Sequence, residues 1–187
     1  MKKILPLLLS LVFILTACGK NYTFREDSFY TNISEKMDLV FPELTFSSPT
    51  ELNADTRYLL FQLLMHMNEL YHGGEDFKKQ NHYEIPVSRI KSTLKTYLGS
   101  NQFNPEDLSD TSVYDKNKDC IILESLPVFG GKREVELTTK EYLGHNKVAF
   151  STKVYDDNHD FLYTKVITMY HKPNENKYRL LSIDIEK

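Results

Sequence analysis

The sequence predicts an α+β fold in which two helices pack on a curved antiparallel sheet of about four to six strands. Two observations predict it. Two segments with helical spacing of apolar residues come first, and five strand-like segments with short connections follow them. Connections this short join antiparallel neighbours, because a parallel pair needs a crossover of about a dozen residues or more. The 187 residues suffice for one domain with a modest core.

The first predicted helix spans residues 55–72 and is apolar over most of its circumference. Asp55 or Thr56 is expected to cap its N-terminus, and Gly73-Gly74 to end it. A helix this apolar must be covered on most sides, so we expect it to lie in the concavity of the sheet. The residues that predict the helix are Leu59, Leu60, Leu63, Leu64, Met67, Leu70 and Tyr71, with Phe61 and Met65 beside them.

The second predicted helix spans Val87–Leu98, follows Pro86 and stops at Gly99. Residues 75–80 are expected to add a short turn between the two helices. The apolar face of the second helix consists of Val87, Ile90, Leu94, Tyr97 and Leu98.

The rest of the chain is predicted to be β-rich, because β-branched and aromatic residues cluster between turn formers. In the last strand, Leu181, Ile183 and Ile185 are expected to share one face. A short strand near 111–114 is expected to pair with the first of the five main strands. Those five are 119–126, 133–143, 147–155, 161–171 and 177–185.

Two acidic turns, 114–119 and 155–160, raise the question of calcium binding. Asp115, Asn117 and Asp119 have the spacing of the first three ligands of a calcium loop. Such a loop also needs Gly at its sixth position and Glu at its twelfth, where this chain has Cys120 and Leu126. The second turn lacks both residues as well. Hairpin turns are therefore expected instead of calcium sites.

The N-terminus combines two lysines, Lys2 and Lys3, with an uncharged run at 4–15. A spanning helix needs about 20 apolar residues, so this shorter run suits the apolar part of a signal peptide. The segment Leu15-Thr16-Ala17-Cys18 resembles the lipobox of bacterial lipoproteins. That resemblance implies a diacylglyceryl group on Cys18, removal of residues 1–17, and a protein held on the extracytoplasmic face of the cell membrane. A plain secretory signal or an uncleaved anchor stays open as an alternative.

Three parts are expected in the chain: the signal peptide 1–17 that the resemblance implies, a lipidated and partly packed tether 18–50 that mixes turn formers and charges with apolar residues, and a globular domain 51–187. Residues 1–17 hold two lysines and no acid, so their removal changes the net charge from −3 to −5. Phosphate backbones repel an anionic protein, so no nucleic-acid partner is expected. Membrane attachment is expected to come from the acyl chains. Cys120 would then be the single remaining thiol, and we expect it to be buried.

The order of elements resembles the cystatin-like and nuclear transport factor-like folds. Tyr83-Glu84-Ile85-Pro86, Tyr97-Leu98-Gly99 and Tyr178-Arg179-Leu180-Leu181-Ser182 look like segments of uncharacterised lipoproteins from low-GC Gram-positive bacteria. That resemblance brings no active site with it.

Candidate site residues fall into two groups. His66, Glu69 and His72 follow each other at intervals of three on the first helix, which permits a metal or acid–base site but equally a polar stripe. Tyr163, Tyr170 and Tyr178 fall on adjacent strands and indicate either cross-strand packing or a carbohydrate- or peptide-binding face. No phosphate-loop or Gly-x-Ser-x-Gly motif occurs, and we expect no cofactor, no metal and no catalytic residues.

These observations favour a non-catalytic module of the cell envelope that binds a small ligand or another envelope protein. An enzyme with a pocket between sheet and helices is one alternative. A structural subunit of an envelope complex is another, and it predicts an apolar patch on the outer face of the sheet.

Overall fold

Helices and antiparallel sheets together form this protein, as the sequence predicts. The computed structural model describes residues 26–67, 77–127, 129, 133–171 and 178–186. Within them lie three helices: α1 (Glu26–Val40), α2 (Ala54–Met67) and α3 (Val87–Leu98). The strands are β1 (Lys78–Lys79), β2 (His82–Pro86), β3 (Tyr114–Asp115), β4 (Cys120–Leu123), β5 (Glu134–Gly144), β6 (Lys147–Tyr155), β7 (Phe161–His171) and β8 (Tyr178–Glu186). One sheet has the order β1-β2-β4-β3, and the other is a meander in the order β5-β6-β7-β8.

The antiparallel meander is confirmed, but the prediction of a single sheet is wrong. The segment predicted at 119–126 does not join the meander; as β4 it pairs with β2 and β3 in the small sheet. Strand β2 was not predicted, because it is short and ends in Pro86. The short strand expected at 111–114 is a 3₁₀ turn that leads into β3, which pairs with β4 as expected.

Helix α1 was not predicted from the sequence either. It lies in the segment interpreted as a tether, and its Tyr30, Ile33 and Met37 are fully buried. Ser34 directly follows Ile33 and Asp38 directly follows Met37, and these polar residues interrupt the apolar spacing. Two helices do pack on the meander, but they are α1 against β5 and β6, and α3 against β8. Helix α2 packs against α1 and α3 instead of lying in a concave sheet.

The ends of the helices follow from local hydrogen bonds. Asn53 caps α2, because its Oδ1 accepts from the backbone N–H of Thr56 at 2.8 Å. The prediction that Asp55 or Thr56 caps this helix is therefore wrong. The bounds of α3 match the prediction, and Gly99 ends it with φ of +73°, the left-handed conformation that glycine adopts without strain. The predicted end of the first helix at 72–74 lies outside the described residues.

A β-bulge in β8 overturns the predicted alternation. Thr168 pairs with Ser182 and Met169 with Leu180, so Leu181 is an extra residue in the strand. Leu180 and Ile183 are consequently both buried, whereas Leu181 is half-buried. The two acidic turns are hairpin turns, as expected. Their first carboxylates accept backbone N–H groups, Asp115 from Asn117 and Asp156 from Asn158, each at 2.9 Å.

An ion-pair cluster between β2 and the β3–β4 turn gives the protein an acid-sensitive contact. Glu84 lies 3.1 Å from His82 and 2.5 Å from Lys118, and the hydrogen bond from Lys118 lowers the pKa of Glu84 from 4.5 to about 2. The carboxyl group therefore stabilises the fold fully above about pH 5, and this contribution is lost as the pH falls through about 2.

We expect the Glu84→Gln variant to lose less stability than the wild type between pH 5 and pH 2, since the variant has no carboxylate to protonate. Urea midpoints across this range measure the difference. Glu124→Gln is the control, because Glu124 is exposed and directly follows β4 of the same sheet. Its stability should change with pH as that of the wild type does. Equal changes of the urea midpoint with pH in the wild type and in Glu84→Gln would contradict the prediction.

Candidate functional site

A polar cleft lies where the N-terminus of α2, the middle of α3 and the segment 101–107 meet. Its volume is about 590 Å³, within the range typical of small-molecule sites. Amide side chains predominate among its polar groups, with one lysine and one aspartate. The cleft is lined by Thr50, Leu52, Asn53, Ala54, Arg57, Lys91, Asn101, Gln102, Phe103, Asn104 and Asp107.

Arg57 forms the floor of the cleft and is only 4% exposed. Its Nε donates to Leu52 O at 2.7 Å, and its two terminal nitrogens donate to Pro49 O and Gln102 O, each at 2.8 Å. The two remaining N–H groups bond the side chains of Ser100 and Gln102. All five donors are thus used within the protein. Arg57 holds the walls of the cleft together and adds positive charge beneath it.

Three other side chains supply donors to the cleft. Asn53 and Asn104 use their side-chain oxygens to accept backbone N–H groups at the start of a helical turn, and their amide NH₂ groups make no hydrogen bond within the described residues. Lys91 is half-buried and makes no ion pair with any residue in the described part of the chain. With Arg57 beneath, this arrangement favours a ligand that presents several acceptor oxygens.

A second group of polar residues ties α1 to the meander. Residues 30, 34 and 38 occupy one face of the helix at successive intervals of four. Tyr30 OH lies 3.0 Å from Nδ1 of His171, and Ser34 Oγ lies 2.5 Å from Thr152 Oγ1. All of these groups are buried. Helix α1 is therefore held by polar contacts as well as by its apolar residues.

Asp38 is the centre of the most buried part of this group. Its Oδ1 lies 2.7 Å from Lys165 Nζ and accepts a hydrogen bond from the Tyr163 hydroxyl at 2.5 Å. Its Oδ2 lies 3.0 Å from Arg133 Nε, but the two atoms are not aligned for a hydrogen bond. Lys165 also donates to Phe41 O at 3.0 Å. Burial lowers the pKa of Lys165, whereas burial and Asp38 raise the pKa of Tyr163. The phenol thus stays protonated and remains a donor.

The structure describes four of the six predicted site residues, and these lie on helix α2 and on the two faces of the meander. His66 is half-buried on α2 and meets Phe129 edge-on at 5.7 Å, while Glu69 and His72 lie outside the described residues. Tyr163 and Tyr178 pair with buried residues of the inner face of the meander. Tyr170 pairs with Lys147 on the outer face. The three tyrosines therefore do not form one binding face.

The exposed large apolar residues of the described chain lie at the two ends of the meander. One group contains Tyr142, Leu143 and Tyr170, and the other contains Phe161 and Leu162. The centre of the outer face carries small and polar residues, including Ala149, Ser151, Thr164 and Thr168. In this part of the described sheet, no large apolar side chain is exposed.

Sequence reasoning missed the residues of the cleft. It also missed the Asp38 cluster, which consists of Asp38, Arg133, Lys165 and Tyr163, except for Tyr163. Arg57 had a usable signal, since it stands one turn before Leu60 and Phe61 on a strongly apolar helix. Lys165 had one too, because it falls at an inward position between Tyr163 and Ile167. A charge at an inward position indicates a buried partner. Neither signal says what that partner is.

Cys120 is buried, as expected, and its burial raises the pKa of its thiol. Within the described ranges, no three His, Cys, Asp or Glu residues are grouped so that they could hold a metal ion. None of the helices described has the length and apolar character needed to cross a bilayer. No family model matches this chain, and neither does any curated protein or solved structure at a significant level.

Proposed function

We propose that this protein is a lipid-anchored lipoprotein on the extracytoplasmic face of a bacterial membrane, and that its folded domain is a non-catalytic binding module. The segment Leu15-Thr16-Ala17-Cys18 supports the anchor. The observation that carries the binding function is the cleft above Arg57, with its several hydrogen-bond donors. Two helices packed on one antiparallel meander also support a cystatin-like or nuclear transport factor-like fold.

The chemistry of the cleft suggests the class of ligand. Lys91 and the amides of Asn53 and Asn104 suit carboxylate, carbonyl and hydroxyl oxygens. A short cell-wall glycopeptide combines all three on a molecule small enough for a volume of about 590 Å³. Muramyl dipeptide is therefore a suitable probe.

We expect wild-type protein to bind muramyl dipeptide and the Lys91→Met variant to bind it about 10- to 100-fold more weakly, the usual effect of losing one charged hydrogen bond. Isothermal titration calorimetry measures both affinities. Methionine retains the length of the side chain, so α3 should fold normally.

Lys95→Met is the matched control, because Lys95 lies one turn later on α3, is exposed and does not line the cleft. Its affinity should equal that of the wild type. If wild-type protein does not bind the probe, or if both variants bind equally well, the cleft is not a site for this class of ligand.

A further inference from the structure

The two exposed apolar patches differ in where they lie relative to the N-terminal chain. We call Tyr142 and Leu143 the tip patch, since they precede the β5–β6 turn at 145–146; Tyr170 lies at the same end of the meander, on the opposite face. Phe161 and Leu162, at the other end of the meander, form the far patch. Tyr142 is 57% exposed and Phe161 is 50% exposed, so exposure alone does not distinguish the two patches.

Helix α1 begins beside the tip patch. Asp27, in its first turn, pairs with Lys140 at 2.9 Å, and Lys140 Nζ lies 5.8 Å from the ring centre of Tyr142. Phe29 stacks on His171 at 4.8 Å, and the backbone N–H of His171 donates to Asn146 O in the turn. The far patch lies at the opposite end, where α1 reaches Asp38 and its partner Tyr163.

The distance along the chain from Cys18 to this end of α1 is short. Seven residues separate position 18 from Glu26, and the eight residue-to-residue steps between them span at most about 29 Å when extended. A lipid anchor on Cys18 would therefore keep the start of α1, and the tip patch with it, close to the membrane.

The distribution of charge also favours the tip end of the meander, and not the far end, as the end that faces the membrane. Lys147 and His145 flank the tip patch and Lys140 lies beside it, while the carboxylates of Asp27 and Glu141 balance the two lysines. Around the far patch the residues are mainly acidic: Glu134, Glu136, Asp156, Asp157 and Asp160. Anionic lipid headgroups therefore repel the acidic end more strongly than the balanced tip end.

We propose that the tip patch is a membrane-contacting surface, with Tyr142 and Leu143 in the headgroup region and Lys147 directed to lipid phosphates. Tyrosine suits this region because its ring is apolar and its hydroxyl is polar. The inference rests on the proposed lipid anchor and adds an orientation to it: the domain stands on its β5–β6 turn, with the acidic end directed away from the membrane.

The absence of tryptophan from the sequence allows a direct test. Tyr142→Trp places a single indole in the tip patch, and Phe161→Trp places one in the far patch as the matched control. Each full-length, lipid-modified variant is reconstituted into vesicles of phosphatidylglycerol and brominated phosphatidylcholine. We expect a blue shift and loss of fluorescence for the indole at position 142, and neither for the indole at position 161.

Flotation of the vesicles measures the anchor separately. If the protein floats but both indoles are quenched equally, the orientation is wrong and the anchor stands. If it does not float, the anchor is wrong and the orientation falls with it.

A blue shift at position 142 that grows with protein concentration in detergent, without vesicles, would indicate contact with a second copy and would overturn the proposal. Adding Lys147→Glu to the Tyr142→Trp variant should reduce the quenching; unchanged quenching would contradict the role of charge.

Discussion

Asp38→Asn is expected to cost about 3–5 kcal/mol of folding free energy, the usual effect of breaking a buried ion pair by removing one partner. The carboxylate of Asp38 has no exposed surface, and Lys165 and Arg133 both lie within 3.0 Å of it. Asparagine fills nearly the same volume, so the cost would come from the charge left without a partner and not from a cavity. Urea unfolding at neutral pH measures the loss.

Asp27→Asn is the matched control on the same helix. Asp27 also pairs with a lysine, but its side chain is 73% exposed, and exposed pairs contribute about 0–1 kcal/mol. The double variant Asp38→Asn with Lys165→Met should recover much of the loss, because it also removes the lysine charge that the single variant leaves without its partner and keeps both side-chain volumes. Equal losses for Asp38→Asn and Asp27→Asn would contradict this account of the cluster.

Cys18→Ala is expected to release the protein from the membrane fraction. Two acyl chains anchor a protein stably, at about 0.8 kcal/mol for each buried methylene group, and alanine offers no thiol to carry them. Weak contact through the tip patch should not retain the variant when cells are fractionated. Immunoblotting of the membrane and soluble fractions measures the change.

Cys120→Ser provides the control, since it removes the chain's other thiol, which is buried in the domain. This variant should stay in the membrane fraction and lose only some stability. Intact-mass spectrometry of the wild-type protein should show the loss of residues 1–17 and the added diacylglyceryl group. Persistence of Cys18→Ala in the membrane pellet, or an unmodified Cys18 in the wild type, would contradict the anchor.

The Asp38 cluster also bears on the orientation at the membrane. If α1 could detach from the meander, the short chain from Cys18 to Glu26 would limit the distance of the helix from the membrane but not that of the rest of the domain. The contacts of Tyr30, Ser34 and Asp38 join α1 to the sheet along its length. The anchor would therefore act on the whole domain and not on a loose helix.

The sequence by itself determined those helices and strands whose signals are local. Val87–Leu98 is flanked by a proline and a glycine that begin and end a helix, and the bounds of Lys147–Tyr155 and Phe161–His171 follow from apolar segments between turn formers. The antiparallel order of the meander followed as well, because its turns are short.

Only the tertiary structure decided the role of α1 and the position of the cleft. The partners of Ser34 and Tyr30 are 118 and 141 residues away along the chain, so no local pattern marks those polar residues as inward-facing. The cleft likewise combines Asn53, Lys91 and Asn104, each unremarkable in its own segment. Their shared site exists because apolar burial brings α2, α3 and the segment 101–107 together, and that packing depends on the whole core.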